Sequence, residues 1–236
     1  RWGRVSEGAG EDTYLGSQIA RARVRGFQSD DLSNNSTILA CPKHFAAYGA
    51  AQSGRDYHTV DISERTLRDT YLPPFRAAID EGALSIMTAF NELNGIPATA
   101  NDFLLEDILR DEWGFEGFVV TDYTSINEMV FHGFSEDDAH AGVQSANAGV
   151  DMDMQGGVFS RFLKESLEEG LVSEDRIDDA VRNVLRLKHA LGLFDDPYLY
   201  CPVSGEDPSG SSTHLEVAYE SACQSLVLLQ NRDNVL

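Results

Sequence analysis

The feature that most limits what this chain can fold into is a repeated change of period. Short apolar or β-branched runs occur at Thr37 to Cys41 (TILAC), Ala83 to Phe90 (ALSIMTAF), Phe118 to Thr121 (FVVT) and Val150 to Met154 (VDMDM). Between them, apolar residues recur every three or four positions. Solid or alternating apolar runs mark strands, whereas the longer period marks amphipathic helices. The expected helices cover Glu11 to about Phe27, His140 to Ala148, and Phe159 to Glu169. Ser63 is expected to cap one that carries Leu67, Tyr71, Phe75 and Ile79, and Pro73-Pro74 must kink or split it. Asn101 caps another through Leu105, Ile108 and Leu109, and Ser173 caps a long one from Ile177 to Leu191. Gly82, Gly114 and Gly170 close helices. Strands and helices in alternation, with short connections, predict the α/β class with a parallel sheet, and a TIM-like (β/α) barrel is its simplest closure. So few strands cannot close one, so the expectation is a partial barrel whose earlier part precedes Arg1.

After Gly192-Leu193-Phe194 the composition shifts to Asp, Pro, Gly and Ser, with GEDPSGSS at the centre, which reads as an interdomain linker. The expected division is a catalytic domain over 1–194, a linker over 195–213 and the start of a second domain over 214–236. Within the last piece, His214 to Ala222 reads as a helix and Ser225 to Leu229 (SLVLL) as a strand.

The charge balance excludes whole classes of function. Lys and Arg number 18 against 39 Asp and Glu, a formal charge of −21, and the acids are scattered along the chain. Such a surface repels nucleic acid, so none is expected as a partner. Its ordinary meaning is solubility, and a high-salt habitat is the alternative. No apolar run reaches the roughly 18 residues of a membrane-spanning helix, so no membrane partner is expected either. Cys41, Cys201 and Cys223 are widely separated and lack the paired spacing of a zinc site.

In a parallel barrel, functional groups collect where strands end. The exits here carry Lys43-His44, Asn91 to Gly95, and Asp122-Tyr123. A carboxylate beside a cation, an imidazole and an aromatic ring suits a polyhydroxylated ligand, because charged groups satisfy hydroxyls while the ring covers a sugar face. The residues by themselves thus lead to a polar small-molecule site, with a sugar as the first expectation.

Several segments carry a family resemblance: RWGRVSEGAGED at 1–12, KHFAAYG at 43–49, GFVVTDY at 117–123, AGVDMDM at 148–154, KHALGLFDDPY at 188–198 and SLVLLQN at 225–231. In this order and spacing the chain resembles the catalytic barrel of family 3 glycoside hydrolases, nearest the bacterial periplasmic β-glucosidase group. The resemblance implies a retaining β-glucosidase that releases glucose from β-linked gluco-oligosaccharides, is periplasmic or secreted, and needs no cofactor and no metal. It implies that 214–236 opens an α/β sandwich domain. Asp122 matches the nucleophile. Arg4, Lys43 and His44 match residues that hold the terminal sugar, and Met87, Phe90 and Tyr123 match further substrate-facing positions. Because Lys43 and His44 are adjacent, both reach one sugar only if the backbone there is irregular. A retaining enzyme also needs an acid/base carboxyl about 5–5.5 Å from the nucleophile. Glu128 is the nearby candidate, but in similar two-domain members that glutamate comes from the following domain, so it is expected beyond Leu236.

Some residues depart from the family pattern. Phe90 stands where many relatives carry tyrosine, and Tyr123 where some carry tryptophan. The loop AAYGAAQSGRDYH lacks the histidine motif of the N-acetylglucosaminidase branch, and His58 is expected to be a satisfied loop residue. β-Xylosidase or mixed activity stays open. The rival readings are a metal-dependent barrel hydrolase, using some of His44, Asp56, His58, Asp122 and Asp151, and an inactive fragment. Asp151 and Asp153 are expected to be structural, and Glu7, Glu11 and Asp12 to orient Arg4 at most.

Overall fold

The computed structural model describes residues 2–201 and 211–234. It divides into two compact units, Arg1–Pro197 and Tyr198–Leu236. Most of the expected linker's centre, residues 202–210, lies outside the described residues.

The first unit is mixed α/β. Helix α1 (Thr13–Gln28) starts where the Asp12 carboxylate accepts the N–H of Leu15. The Ser63 hydroxyl caps α2 (Glu64–Thr66) by accepting from Thr66 N–H. That short helix widens into a π turn over Leu67–Tyr71 before α3 (Pro73–Asp80), so Pro73 falls at a helix start, where its missing N–H costs nothing. Helix α3 packs on α1.

Strand β1 (Ser85–Met87) pairs in parallel with β4 (Phe118–Val120), with Ser85 opposite Phe118, Ile86 opposite Val119 and Met87 opposite Val120. Between them lie a small antiparallel pair, β2 (Glu92–Leu93) with β3 (Ile96–Pro97), and a π-type helix, Phe103–Glu112. Ile86 and Val119 are fully buried in one core with Phe45, Leu104, Leu105, Ile108 and Leu109. Gly117 leads into β4 so close to β1 that an added Cβ would lie 2.1 Å from the Leu84 carbonyl oxygen, which only glycine tolerates. Helices α4 (Ser125–Phe131), α5 (Asp138–Asn147), α6 (Val158–Glu168) and α7 (Glu174–Ala190) follow, the last capped by Ser173 as expected.

The strand expected over Thr37 to Cys41 forms no ladder among the described residues, the bridge on that flank being Phe45 with Thr88, and the one expected over Val150 to Met154 forms only the bridge of Met152 with Val120, both parallel. The reason is the same on both flanks, where side chains occupy ladder positions. Before Pro42, Ala40 N–H donates to the Gln28 side chain and the Ala40 carbonyl accepts from the Ser85 hydroxyl. After Val150, the Asp151 carboxylate accepts from Val119 N–H, and Thr121 Oγ1 accepts from Met154 N–H. The chain still runs alongside β1 and β4 on each flank, through Phe45 N–H to the Met87 carbonyl (2.8 Å) and Thr121 N–H to the Met152 carbonyl (3.0 Å).

The second unit contains α8 (Ser212–Ser225). The strand expected over Ser225 to Leu229 is absent: the helix runs through Ser225 and residues 226–230 form no ladder among the described residues. A strand needs a partner to hold its N–H and C=O groups, and the described residues offer it none.

Candidate active site

Asp122 leaves the end of β4 in a tight turn. Its Oδ1 accepts the N–H of Tyr123 (2.7 Å), and Ser125 N–H donates to the Asp122 carbonyl (3.1 Å). The turn is pinned from below by a buried row of hydroxyls, Thr88 to Thr99 and Thr99 to Ser125, each 2.9 Å apart. Thr124 N–H to the Met154 carbonyl (3.0 Å) pins it from the side. The other carboxylate oxygen, Oδ2, lies 3.2 Å from His44 Nε2, and the two side chains are 14% and 9% exposed.

His44 arrives from the flank of β1, where the backbone is irregular: the Lys43–His44 and Phe45–Ala46 peptides are cis, and Ala47 has φ of +63°. Burial pushes the His44 imidazole down to about 4, with Arg4 and Lys43 acting the same way against the opposing pull of Asp122 and Glu7. The ring is therefore neutral at neutral pH, and its contact with Asp122 is that of a dipole with a carboxylate. Lys43 lines a cavity of about 610 Å³ shared with α1, on which His44 and Tyr48 also open.

Arg4, in the turn before Val5–Glu7, is gripped by Glu7 through Nε–Oε1 (2.8 Å) and Nη2–Oε2 (2.7 Å). That bond raises the guanidinium above its ordinary value, and the guanidinium in turn holds the Glu7 carboxyl below the usual carboxylate range. The Arg4 cation lies 5.9 Å from the Trp2 ring centre and 5.7 Å from that of Tyr48. Tyr48 connects the pieces: its ring meets His44 edge-on at 5.3 Å, Trp2 at 5.3 Å and Phe90 at 6.2 Å. Burial first, and then the nearby Asp56, pushes its phenol well above the ordinary range, and among the described residues its buried oxygen has no partner in hydrogen-bonding geometry. Phe90 is buried and carries the Tyr57 ring at 4.4 Å.

The segment behind Phe90 is clasped to the end of α4. His132 bonds the Phe90 carbonyl through Nε2 (3.0 Å) and Glu92 through Nδ1 (3.0 Å), and Glu92 also accepts from Thr59 (3.0 Å).

Of the expected site residues, the structure thus joins Asp122 and His44 directly and links Arg4 and Phe90 to them through Tyr48. Met87 is half-buried at the end of β1, with its backbone bonded to Phe45 and Pro42. Tyr123 stands 55% exposed at the lip of the turn, outside these ring contacts. Glu128 lies on α4, one turn beyond the Asp122 turn. Tyr48 and Tyr57 were not foreseen, and Asp56 only as a ligand in the rival metal-dependent reading. Tyr48 stood inside the KHFAAYG segment, four residues after His44, and Tyr57 in RDYH, where the histidine drew attention; His58 itself is an exposed loop residue.

The metal-ligand set considered from the sequence is dispersed. His44 meets Asp122, but Asp56 accepts from Trp2 Nε1 (3.1 Å), and Asp151 is buried against Arg110 and Arg176. Among the described residues, no three of His, Cys, Asp and Glu converge on a point that could hold an ion. Asp153 accepts from the first N–H groups of α6, at Val158 (2.6 Å) and Phe159 (3.4 Å).

Residues 1–187 match the model of the glycosyl hydrolase family 3 N terminal domain. The chain belongs to this family. The family 3 chain is 43% identical, over 98% of its length, to a periplasmic beta-glucosidase of Salmonella typhimurium, of which it covers 31%. It is 38% identical, over 100% of its length, to a putative beta-xylosidase of Formosa agariphila, of which it covers 32%. Crystal structures of a beta-glucosidase from Listeria innocua, among them one in complex with glucose, superpose with a TM-score of 0.93 at 41% identity, covering 100% of this chain and 33% of that one. A mutant of the Listeria protein in complex with laminaribiose gives 0.94. This family 3 chain therefore spans about a third of the length of these relatives.

Proposed function

We propose that the protein is a retaining β-glucosidase, with Asp122 as the nucleophile that attacks the anomeric carbon of a terminal, non-reducing β-glucosyl unit. The observation that carries this reading is the meeting at 3.2 Å of Asp122, at the exit of β4, with His44, from the segment that flanks β1, in a chain whose relatives include a periplasmic beta-glucosidase. Arg4, Lys43 and His44 supply donors for sugar hydroxyls. The acid/base glutamate comes from outside these residues. Residues 1–194 form part of a (β/α) barrel, 195–213 a linker and 214–236 the start of an α/β sandwich domain. The substrate is a β-glucoside or short β-linked gluco-oligosaccharide, and the setting is periplasmic or secreted, in keeping with the Salmonella relative's name. Among the described residues no helix is long and apolar enough to cross a membrane. A second reading, β-xylosidase or mixed activity, is favoured by the beta-xylosidases among the relatives.

The test is trapping. The full-length protein is incubated with a 2-fluoro glucoside bearing a dinitrophenyl group, whose departure needs almost no acid catalysis, and then digested for peptide mass spectrometry. The expected result is a fluorosugar adduct on Asp122. An adduct on another residue overturns the assignment, and labelling only by the xyloside analogue favours the second reading.

A further inference from the structure

Tyr57 has a conformation its residue type rarely adopts: φ is +66°, in the left-handed region where a Cβ crowds the backbone. Such a residue persists only where its surroundings hold it, and it is found disproportionately at functional sites. Here the holding group is Asp56. Its Oδ1 accepts both Tyr57 N–H (3.2 Å) and Trp2 Nε1 (3.1 Å), and Gln52 N–H to the Thr59 carbonyl (2.9 Å) closes the loop at its base.

The conformation sends the ring onto Phe90, with centroids 4.4 Å apart and planes at 35°, and edge-on to Tyr48 at 6.3 Å. Phe90 is 8% exposed, whereas Tyr57 remains 42% exposed, so the stacked pair buries one ring and presents the other. Burial, Asp56, Glu128 and Asp122, in that order, push the Tyr57 phenol above its ordinary range, so its hydroxyl lies within the field of the Asp122 carboxylate. An exposed aromatic face held rigidly beside a carboxylate suits a ligand with one apolar ring face and a rim of hydroxyls.

We propose that Tyr57, backed by Phe90, is a sugar-contacting residue whose ring stacks on the terminal sugar held at Asp122. The proposal rests on reading Asp122 as the nucleophile of a sugar site. Because the contact is made by the ring face, it acts equally on the bound sugar and on the transition state, so its loss raises KM and leaves kcat nearly unchanged.

Titration calorimetry with glucose, which needs no turnover, tests it in the full-length protein. Tyr57→Phe is expected to bind glucose within about two-fold of the natural protein, and Tyr57→Ala about ten-fold more weakly. Tyr57→Leu keeps bulk against Phe90 without a flat face, and shows the same weakening if Tyr57→Ala does not fold. In steady-state assays with an aryl β-glucoside, the weakened variants show the loss in KM. Unchanged glucose affinity in the Ala or Leu variant, or a Phe variant as weak as the Ala variant, overturns the proposal. If the natural protein binds neither glucose nor xylose, the reading of Asp122 as a sugar site fails and the proposal falls with it; if it binds sugar and the Tyr57→Ala or Tyr57→Leu variant binds it as tightly, the proposal fails alone.

Discussion

At the scale of single residues, burial in the fold keeps His44 uncharged at neutral pH. Its folded value is about 4, against an ordinary value of about 6.5 in the unfolded chain, so between these limits the unfolded chain binds the extra proton. His44 therefore contributes stability that is complete above about pH 6.5 and is lost as the pH falls toward 4. The expected outcome is that melting curves of the natural protein and of His44→Asn, collected across that window, show the natural protein losing more stability on acidification. A constant difference would mean that the fold leaves His44 at its unfolded value, and the opposite slope would mean that His44 is charged in the fold. Arg4 entered only through the family resemblance, whereas Asp122 and His44 were legible as candidates because each follows an apolar run in the sequence. Tyr48 and Tyr57 were not, since an aromatic residue in a loop carries no local sign of what it will touch: Tyr48 finds Trp2, 46 positions earlier by the numbering, and Tyr57 finds Phe90, 33 positions later, only through the fold.

At the scale of elements, Asp151 ties the strands to the helices outside them. Its carboxylate is fully buried and accepts from Arg110 (2.7 Å), Val119 N–H (2.8 Å), Arg176 (3.0 Å) and Asn183 (3.2 Å). One side chain thereby joins the Phe103–Glu112 helix, β4 and α7. Replacing it by alanine leaves two largely buried guanidinium groups facing each other, and the expected loss is about 3–5 kcal/mol in urea unfolding. A loss under about 1 kcal/mol would show that water replaces the carboxylate. The helices were readable from caps and periodicity: Ser63 and Ser173 cap as their positions suggest, and the Asn101 side chain accepts from Leu104 N–H. The flanking strands were overread because composition does not reveal when a side chain such as Gln28, Ser85, Asp151 or Thr121 will take a rung that a backbone group would otherwise fill.

At the scale of the whole molecule, a formal charge of −21 makes self-repulsion a standing cost of compactness. Some acids are paired, as Glu81 is with Arg25 and Glu112 with Arg68, but 18 bases cannot offset 39 acids. Raising sodium chloride from about 10 mM to about 0.5 M shortens the reach of that repulsion to a few ångströms, so the melting temperature of the full-length protein is expected to rise. A fall would mean that local ion pairs outweigh the global field. The α/β class followed from the alternation of periods, which depends on every helix and strand together and so survives errors at any one of them.

The buried hydroxyls of Thr88, Thr99 and Ser125 have a consequence of their own. Each oxygen carries a single proton and two lone pairs, so Thr99 can donate to one neighbour and accept from the other, or accept from both, but it cannot donate to both. At least one of Thr88 and Ser125 therefore gives its proton to Thr99. If the hydroxyl at the β1 exit turns its proton away, the one at the Asp122 turn has to point inward, and the reverse holds as well.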